Sequence, residues 1–483
     1  MKKVIFILLA LSFTLPVFSE GEIEASSTID YDIHFNQNNN THKKLELNNE
    51  FYTATVGQHF AAFGEALTSN LVLMAVNRYI RKAPYAYISW DSIHHNLTTP
   101  WVWDQDGFAV NHIGHPYQGS FYYIAGRSNN LSFWESYLVA VLGSVTWELF
   151  AETETPSYND LIVTTIGGLS VGEMLHRLYF DAKDINDLFG FIVSPMTSIN
   201  NAFYSGKLNR PNGNVTSLSS KLMFGFIIDK MLFKNSNINA PTGFTPLYLG
   251  GGVNIVYGNP YGLVTKTPYD QFELNIKFNG SKDYYNLSIF SDGMLWSFSP
   301  WEQDKLKTSM GLSLHYDFLL SSKMNYSANS LGWTIKQHAI LPNNWDIKWD
   351  LHLNAIIMSA SDFYFLFKEI VGQDVTVENR KYDLGTGLGF KTFVGISHPT
   401  FGSVYLYYFL DWIKTIKDSL PKYGSQGSSL IGVGSLSYEH KVYNNLSLGI
   451  EFSSYIKSAF YKDVESTYEH KKYLNIYLKY LYK

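Results

Sequence analysis

The chain has 483 residues, a formal net charge of −5 at pH 7 and no cysteine. Without a basic excess it lacks the face that a general nucleic-acid binder needs to neutralise phosphates, so no nucleic-acid partner is expected. The missing cysteine excludes disulfides, a lipoprotein anchor, a thiol nucleophile and a thiolate metal site. Charged residues make up only 16% and aromatic residues also 16%, which is typical of a protein with rings at a membrane interface.

The first fifty residues are predicted to be a targeting signal and a flexible segment rather than part of a folded domain. Two lysines precede a long apolar run, and Ser19 stands at a cleavage position, so residues 1–19 are predicted to be a secretory signal. Residues 20–50 are polar and without periodicity, which predicts a flexible lead-in. After the signal no apolar run reaches the length of about 18 residues that a spanning helix needs. Any insertion into a membrane would therefore use a closed barrel.

Residues 51–210 show a helical period and are predicted to form a helical domain. The pattern from Phe51 to Ile80 is interrupted by polar residues and predicts a soluble amphipathic helix rather than a membrane span. Two more helices are predicted downstream. The second contains Gly168 and Gly172, one turn apart, which predicts a groove where another backbone approaches closely.

From about residue 215 the period changes to two, as in strands with one apolar and one polar face. Phe272 to Phe278 and Trp345 to Leu353 are examples, and about twelve such strands follow one another. Tight joins alternate with long ones, as in outer-membrane barrels. The predicted fold class is α+β, with an N-terminal helical domain followed by an antiparallel transmembrane β-barrel of about twelve strands over 215–483. A secreted β-sandwich has the same period and is the alternative.

Five ionisable residues are candidates for catalysis. His115 could act as a general base, and Asp104 or Asp106 could orient it. Glu148 and Glu152 are spaced one helical turn apart. The candidate nucleophiles are a water or one of four serines, none of which lies in a Gly-x-Ser-x-Gly elbow: Ser120, Ser136, Ser144 and Ser157.

A second set of polar residues is predicted to form a binding or structural network, because buried polar groups must be paired. Glu173 and Arg177 are predicted to form a salt bridge within one helix. Glu173 and His176 make half of a di-metal motif whose second half is missing, so no metal and no cofactor are expected. The full set is Asn111, Tyr117, Arg127, Ser144, Trp147, Asp160, Glu173 and Arg177.

Short motifs punctuate this part of the chain: Trp101-Val-Trp-Asp104, His115-Pro-Tyr-Gln-Gly119, Gly143-Ser with Trp147-Glu148, Pro156-Ser157 with Asp160, and Gly167-Gly168 with Gly172-Glu173. The series resembles a Gram-negative envelope family catalogued only as a domain of unknown function, over roughly residues 50–210. The resemblance implies a secreted protein with a helical segment and a barrel-like tail. It implies no activity.

Together these observations predict a protein of the cell outer membrane, with its helical domain periplasmic or inside the barrel. That domain is expected to plug or gate the pore, or to bind a lipid or partner. The alternative is an envelope hydrolase that modifies lipid or cell wall through His115 and the nearby carboxylates. Expected partners are outer-membrane lipid and the barrel-assembly machinery, and the sequence identifies no ligand.

Overall fold

The computed structural model describes residues 53–482 except 205–206, 234–243, 262–263, 266, 283, 304, 323, 363–379 and 422–423. The predicted signal over 1–19 and the predicted lead-in over 20–50 lie outside the described residues.

Helices occupy the chain between Val56 and Phe203. Three of them begin at capping boxes, in which Thr55, Ser89 or Ser132 exchanges hydrogen bonds with the residue three positions on. The helices are α1 Val56–Ala75, α2 Trp90–Thr98, α3 His115–Arg127, α4 Phe133–Phe150, α5 Tyr158–Ile162, α6 Gly168–Ile185, α7 Asp187–Val193 and α8 Pro195–Phe203. The π-helical turns are Val76–Arg81, Val110–Gly114 and Val163–Gly167.

Strands make up most of the described residues from Val215 onward. They are β1 Val215–Phe233, β2 Phe244–Tyr257, β3 Phe272–Gly280, β4 Tyr285–Phe298, the two-residue β5 Glu302–Gln303, β6 Leu306–Ser321, β7 Tyr326–Leu341, β8 Trp345–Asp362, β9 Tyr382–His398, β10 Gly402–Thr415, β11 Gly427–Tyr443, β12 Leu446–Tyr461 and β13 Thr467–Leu481.

The twelve long strands form one closed antiparallel ring. Each long strand pairs with the next, β4 pairs directly with β6, and β1 pairs with β13 over fifteen residue pairs from Ser219–Leu481 to Phe233–Thr467. Because the first and last strands pair with each other, the sheet closes on itself and is not a sandwich. The predicted fold class, a helical domain followed by a barrel of about twelve strands, is confirmed.

Ion pairs between distant strands identify the lumen side of the wall. Lys336 on β7 contacts Glu273 on β3, and Lys391 on β9 contacts Asp317 on β6. Strands that are not neighbours in a barrel meet only across its lumen, and side chains alternate between the two faces. These residues therefore point inward. Their neighbours along the same strands, such as Leu274 next to Glu273, point outward.

Side-chain contacts cross the described part of the lumen. Lys336 is only 3% exposed. Phe409 on β10 stacks against Tyr326 on β7, with ring centroids 5.7 Å apart, and lies equally close to Phe290 on β4. These inward residues are thus packed against one another, whereas the inward-facing Glu273 is 31% exposed.

The helical domain contacts the outward side of the wall. Phe108 stacks on Phe318 with ring centroids 5.6 Å apart, and the hydroxyl of Tyr316 donates to the carbonyl oxygen of His112 at 2.6 Å. Tyr316 and Phe318 alternate with Asp317, which faces the lumen. Of the two predicted positions of the helical domain, the one inside the barrel is contradicted by these contacts of the described residues, and the periplasmic one stays a prediction.

One row of cross-strand neighbours shows how far this contact extends. The row faces outward and consists of Leu218, Ile255, Leu274, Ser291, Tyr316, Asn329 and Met358, each paired with the next. Its members share apolar clusters with helical-domain side chains at both ends. The row starts near the beginning of β1 and ends near the end of β8, which are opposite ends of the barrel.

Strand tilt gives the height of this contact. With strands about 4.8 Å apart and tilted by roughly 40°, six steps along the row climb about 18 Å. An apolar band on such barrels is about 25 Å tall. The helical domain therefore lies along most of the wall instead of at one rim.

Helix α1 differs from the amphipathic helix that the sequence predicted. Together with the following π-helical turn it runs over 26 residues, Val56–Arg81, long and apolar enough to cross a membrane by length and composition. Only 17% of its most apolar stretch is buried. Its buried side is narrow, consisting of Ala62, Ala66 and Asn70.

Helices α3 and α6 cross at two glycines. A Cβ on Gly119 would lie 1.9 Å from the carbonyl oxygen of Thr164, and a Cβ on Gly168 would lie 2.5 Å from the carbonyl carbon of Gly119. The predicted close approach at Gly168 is thus observed. Gly172 instead accommodates the ring of Tyr123, 2.8 Å from where its Cβ would be.

We expect Gly168→Ala to destabilise the helical domain by about 1–3 kcal/mol, because a methyl group would force the two backbones apart. The measurement is thermal loss of helical circular dichroism in detergent micelles. Gly64→Ala in α1 is the matched control, since nothing lies within 4 Å of its Cβ position. If both variants melt alike, the crossing is not tightly packed.

Candidate functional site

Three helices and two π-helical turns bring the polar residues of the domain together. His115 opens α3 after the turn Val110–Gly114, and Thr164 lies in the turn Val163–Gly167. A parallel bridge between Val102 and Ser157 holds the segment after α2 against the start of α5. π-Helical turns are frequent at functional sites because they displace side chains from the regular helical face.

The first of two polar networks is a closed ion cluster around Glu173. Arg177 Nε donates to its Oε1 at 2.7 Å, and Arg127 Nε and the Tyr123 hydroxyl donate to its Oε2 at 2.8 Å. Burial alone would raise the pKa of Glu173, but Arg127 and Arg177 hold it at about 2. Arg177 also contacts Asp270 before β3 at 3.1 Å. This network, which includes the predicted salt bridge, joins the helices to the barrel.

The second network contains three carboxyl groups and will be called the carboxylate cluster: Glu148, Glu152 and Asp160. Glu148 accepts from the backbone N–H of Ser157 at 2.8 Å, and Glu152 accepts from Trp147 Nε1 at 3.0 Å. Glu148 and Glu152 were predicted to lie one turn apart on the same helix. Helix α4 ends at Phe150, before Glu152, so this prediction is wrong.

Cations do not neutralise the carboxylate cluster in the described part of the chain, in contrast to Glu173. Burial and the neighbouring Asp160 raise the pKa of Glu148 to about 8. Burial, Glu148 and Asp160 raise the pKa of Glu152 well above its usual value, and burial and Asp104 do the same for Asp160. Glu148 therefore keeps its proton at neutral pH and can act as a hydrogen-bond donor.

His115 lies between a hydroxyl and a carboxylate. Its Nδ1 is 3.1 Å from Thr164 Oγ1, and its Nε2 is 3.6 Å from Asp160 Oδ1. The order hydroxyl, imidazole, carboxylate is that of a catalytic triad. Asp104 or Asp106, rather than Asp160, was predicted beside His115, and Thr164 was not among the predicted residues. The spacing of Asp160 and Thr164, one helical turn apart, was the available signal.

None of the candidate serines takes the place that Thr164 occupies. Ser157 Oγ donates to Asp160, while Ser120 and Ser136 donate to backbone carbonyls of their own helices. Ser144 is buried, and its hydroxyl has no hydrogen-bond partner among the described residues. The serine-nucleophile hypothesis therefore has no geometric support.

Asp104 and Asp106 form a separate acidic group with Glu154, and their carboxylate oxygens lie within 4.8 Å of one another. Burial, Asp104 and Glu154 raise the pKa of Asp106 to about 6. Asp104 already accepts from the backbone N–H of Asp106 at 2.9 Å and from Asn111 at 2.8 Å. Its oxygens are therefore largely occupied by donors from the protein.

The remaining predicted residues are divided between the barrel junction and the surface. Asn111 donates to the hydroxyl of Tyr382 on β9 at 2.8 Å and so fixes the helices to the wall. Arg380, which the sequence analysis missed, donates to the carbonyl oxygen of Asp104 at 2.8 Å. Tyr117 is half exposed and stacks edge-on against Phe121.

Comparison with known families identifies part of this domain. Residues 100–190 match the family described as "Domain of unknown function (DUF3943)". The resemblance to a family of unknown function is thus confirmed for these residues. No curated protein matches the chain.

Solved structures similar to the chain include three bacterial channels or porins. The toluene transporter TodX of Pseudomonas putida is 11% identical, with 56% of this chain and 89% of that chain covered and a TM-score of 0.24. The KdgM porin is 7% identical, with 53% of this chain and 98% of that chain covered and a TM-score of 0.22. The outer membrane channel DcaP of Acinetobacter baumannii is 8% identical, with 56% of this chain and 97% of that chain covered and a TM-score of 0.23. At these identities and TM-scores the likeness carries no argument.

We expect the helical domain to lose stability as pH rises from about 5 to about 9. The pKa of Glu148, ordinarily 4.5, is about 8 in the folded chain, so the folded state holds a proton that the unfolded chain releases between these values. Glu148→Gln should flatten this dependence and stabilise the domain at high pH, as measured by thermal melts. Asp187→Asn, at a side chain that is 87% exposed, is the control. Equal slopes in both variants would contradict the assignment.

Proposed function

We propose that the protein is an outer-membrane barrel whose helical domain lies against lipid on the outer side of the wall and binds lipid there. The observation that supports this most directly is the row of outward-facing strand residues that the helices cover. A domain attached along the height of an embedded wall shares the apolar layer with that wall. Insertion by the barrel-assembly machinery belongs to the same proposal.

The outer side of helix α4 supports a lipid environment. Trp134, Leu138 and Leu142 are four residues apart, so they form one stripe, and all three are exposed, Leu138 by 60%. The opposite side of α4 is buried, with Val139 and Ala140 among its residues. Burying one large apolar side chain is favourable by about 1.5–3 kcal/mol. Lipid chains would bury this apolar stripe, whereas water would leave it exposed.

The uncovered part of the barrel exposes a similar surface. Leu388 on β9, Leu436 on β11 and Ile476 on β13 point outward and are exposed. An apolar belt around alternating strands is the surface that barrels present to a bilayer. The helical domain and the uncovered wall would thus contact the same lipid layer.

The position of the helices argues against the expected gating of a pore by them. Gating needs the helices in the lumen or over its mouth, whereas their contacts are with outward-facing side chains such as Phe318 and Tyr382. In this proposal the barrel anchors the helical domain, and the ligand is a lipid.

One observation favours a second candidate function, hydrolysis or transfer of a lipid ester. Thr164, His115 and Asp160 have the order of a nucleophile, a base and an orienting carboxylate. Thr164 is only 1% exposed, so the π-helical turn that holds it would have to open before an ester could reach it. Protonated Glu148 would be available as an acid for the leaving group.

The lipid-facing proposal predicts that a nitroxide label at Leu138→Cys will be accessible to oxygen and shielded from a water-soluble relaxation agent in a reconstituted bilayer. Single labels are practical because the chain has no cysteine. Leu436→Cys on the uncovered wall is the lipid control, and Asp187→Cys on α7 is the water control. Water-like access at Leu138 would refute the proposal.

The second candidate predicts that Thr164→Val and His115→Gln each lower ester hydrolysis in the reconstituted protein by about 100-fold or more. Thr165→Val is the matched control, since the neighbouring hydroxyl donates to the carbonyl oxygen of Leu161 at 2.7 Å and not to His115. If the rates are unchanged, or lowered equally in Thr164→Val and Thr165→Val, the hydrolase hypothesis is wrong and only the proposal of lipid binding remains.

A further inference from the structure

A basic and aromatic patch ends the long apolar helix. The π-helical turn Val76–Arg81 continues α1, and Lys82 stops it in a left-handed conformation with φ of 54°. Within five positions the chain carries Arg78, Arg81 and Lys82. None of the three makes an ion pair with a carboxylate among the described residues.

Both arginines are held in place by groups that leave donors free. The guanidinium of Arg78 lies 4.9 Å above the ring centre of Tyr87. Arg81 NH1 donates to Asn77 Oδ1 at 2.8 Å and lies 3.3 Å from the hydroxyl of Tyr85. Neither contact neutralises the charge. Pre-positioned guanidinium groups are well suited to bind phosphate oxygens.

Exposed rings surround these cations. Trp90, at the start of α2, is 85% exposed, and Tyr79 and Tyr87 are exposed beside Arg78. Favourable interaction with the helix dipole would explain cations at a helix end, but it would not explain the rings. Trp and Tyr together with Lys and Arg are the residues enriched at the border between lipid chains and headgroups.

The length of the helix is sufficient for the patch to reach that border. Twenty-six residues of helix span about 39 Å, compared with about 30 Å for the hydrocarbon core of a bilayer. A helix of this length that crosses the apolar layer extends into the headgroup region.

We infer that Arg78, Arg81 and Lys82 bind the phosphate headgroup of an anionic lipid, with Tyr79, Tyr87 and Trp90 seated at the level of the glycerol backbone. This inference rests on the proposed lipid-facing position of the helical domain and adds the lipid class. The lipid is recognised by the net negative charge of its phosphate headgroup, which no choline cation offsets, and its acyl chains lie along α1.

The test compares binding of the full-length, reconstituted protein to phosphatidylglycerol and to phosphatidylcholine. The triple variant Arg78→Gln, Arg81→Gln and Lys82→Gln should lose about 100-fold in preference for phosphatidylglycerol, or roughly 5-fold for each cation removed. The matched control removes three other cations of the same domain, Lys183→Gln, Lys207→Gln and Arg210→Gln, and should keep the preference.

The single variant Lys82→Gln removes only one exposed charge, so it tests the inference even if the triple variant does not fold. It should lose roughly 5-fold, with unchanged helical circular dichroism. Equal loss in the patch and control variants, or no loss in either, would overturn the inference. So would full competition by inorganic phosphate at millimolar concentration, which would indicate a site for free phosphate.

The label at Leu138 separates this inference from the proposed function. If Leu138 contacts lipid and the patch variant keeps its preference, the headgroup site is wrong and the proposed function stands. If Leu138 contacts water, the proposed function is wrong and the headgroup site loses its premise.

Discussion

Closure of the sheet is the constraint on which the remainder of the structure depends. Once β1 and β13 are paired, every strand residue faces either the lumen or the outside, and the ion pairs of Lys336 and Lys391 identify the inner side. A partner domain can then lie only inside, at a rim or on the outer wall. The stacking of Phe108 on Phe318, and the bond between Tyr316 and His112, determine that the helices use the outer wall.

The two polar networks of the helical domain have opposite electrostatics and therefore different roles. Glu173 is buried between two arginines, remains ionised and joins α3, α6 and the barrel into one unit. Removing one member of such a buried cluster typically costs about 3–5 kcal/mol. The carboxylate cluster has no such cations among the described residues, and Glu148 stays protonated. A buried carboxyl group that is costly to ionise destabilises the domain once it loses its proton at high pH. Because strongly raised carboxyl pKa values cluster at functional sites, this cluster is the better candidate for chemistry or ligand binding.

The position of the helical domain on the outer wall also bears on the class of ligand that the domain could bind. A helical domain in the lumen would have pointed to transported solutes. The helical domain instead covers outward-facing side chains and exposes an apolar stripe on α4, and our proposal that it binds lipid rests on these two features. The basic and aromatic patch at the end of α1 and the buried carboxylate cluster are different features of the same domain. The first would retain a headgroup, and the second is close to the bridge that ties α5 to the segment after α2.

The amino-acid sequence by itself determined the fold class, because a period of two in the strands and a period near 3.6 in the helices arise from local backbone geometry. It also identified the salt bridge of Glu173 with Arg177, four residues apart, and the packing glycine Gly168, whose reasons are equally local. Alternation along a strand cannot state which face meets a partner domain, so the position of the helices was decided only by tertiary contacts. The bulge in β8 between Ile356 and Ser359 shifts the alternation and turns Met358 outward, toward the helical domain. Thr164 beside His115 and Arg380 beside Asp104 likewise join residues far apart in sequence, and no local pattern encodes such pairs.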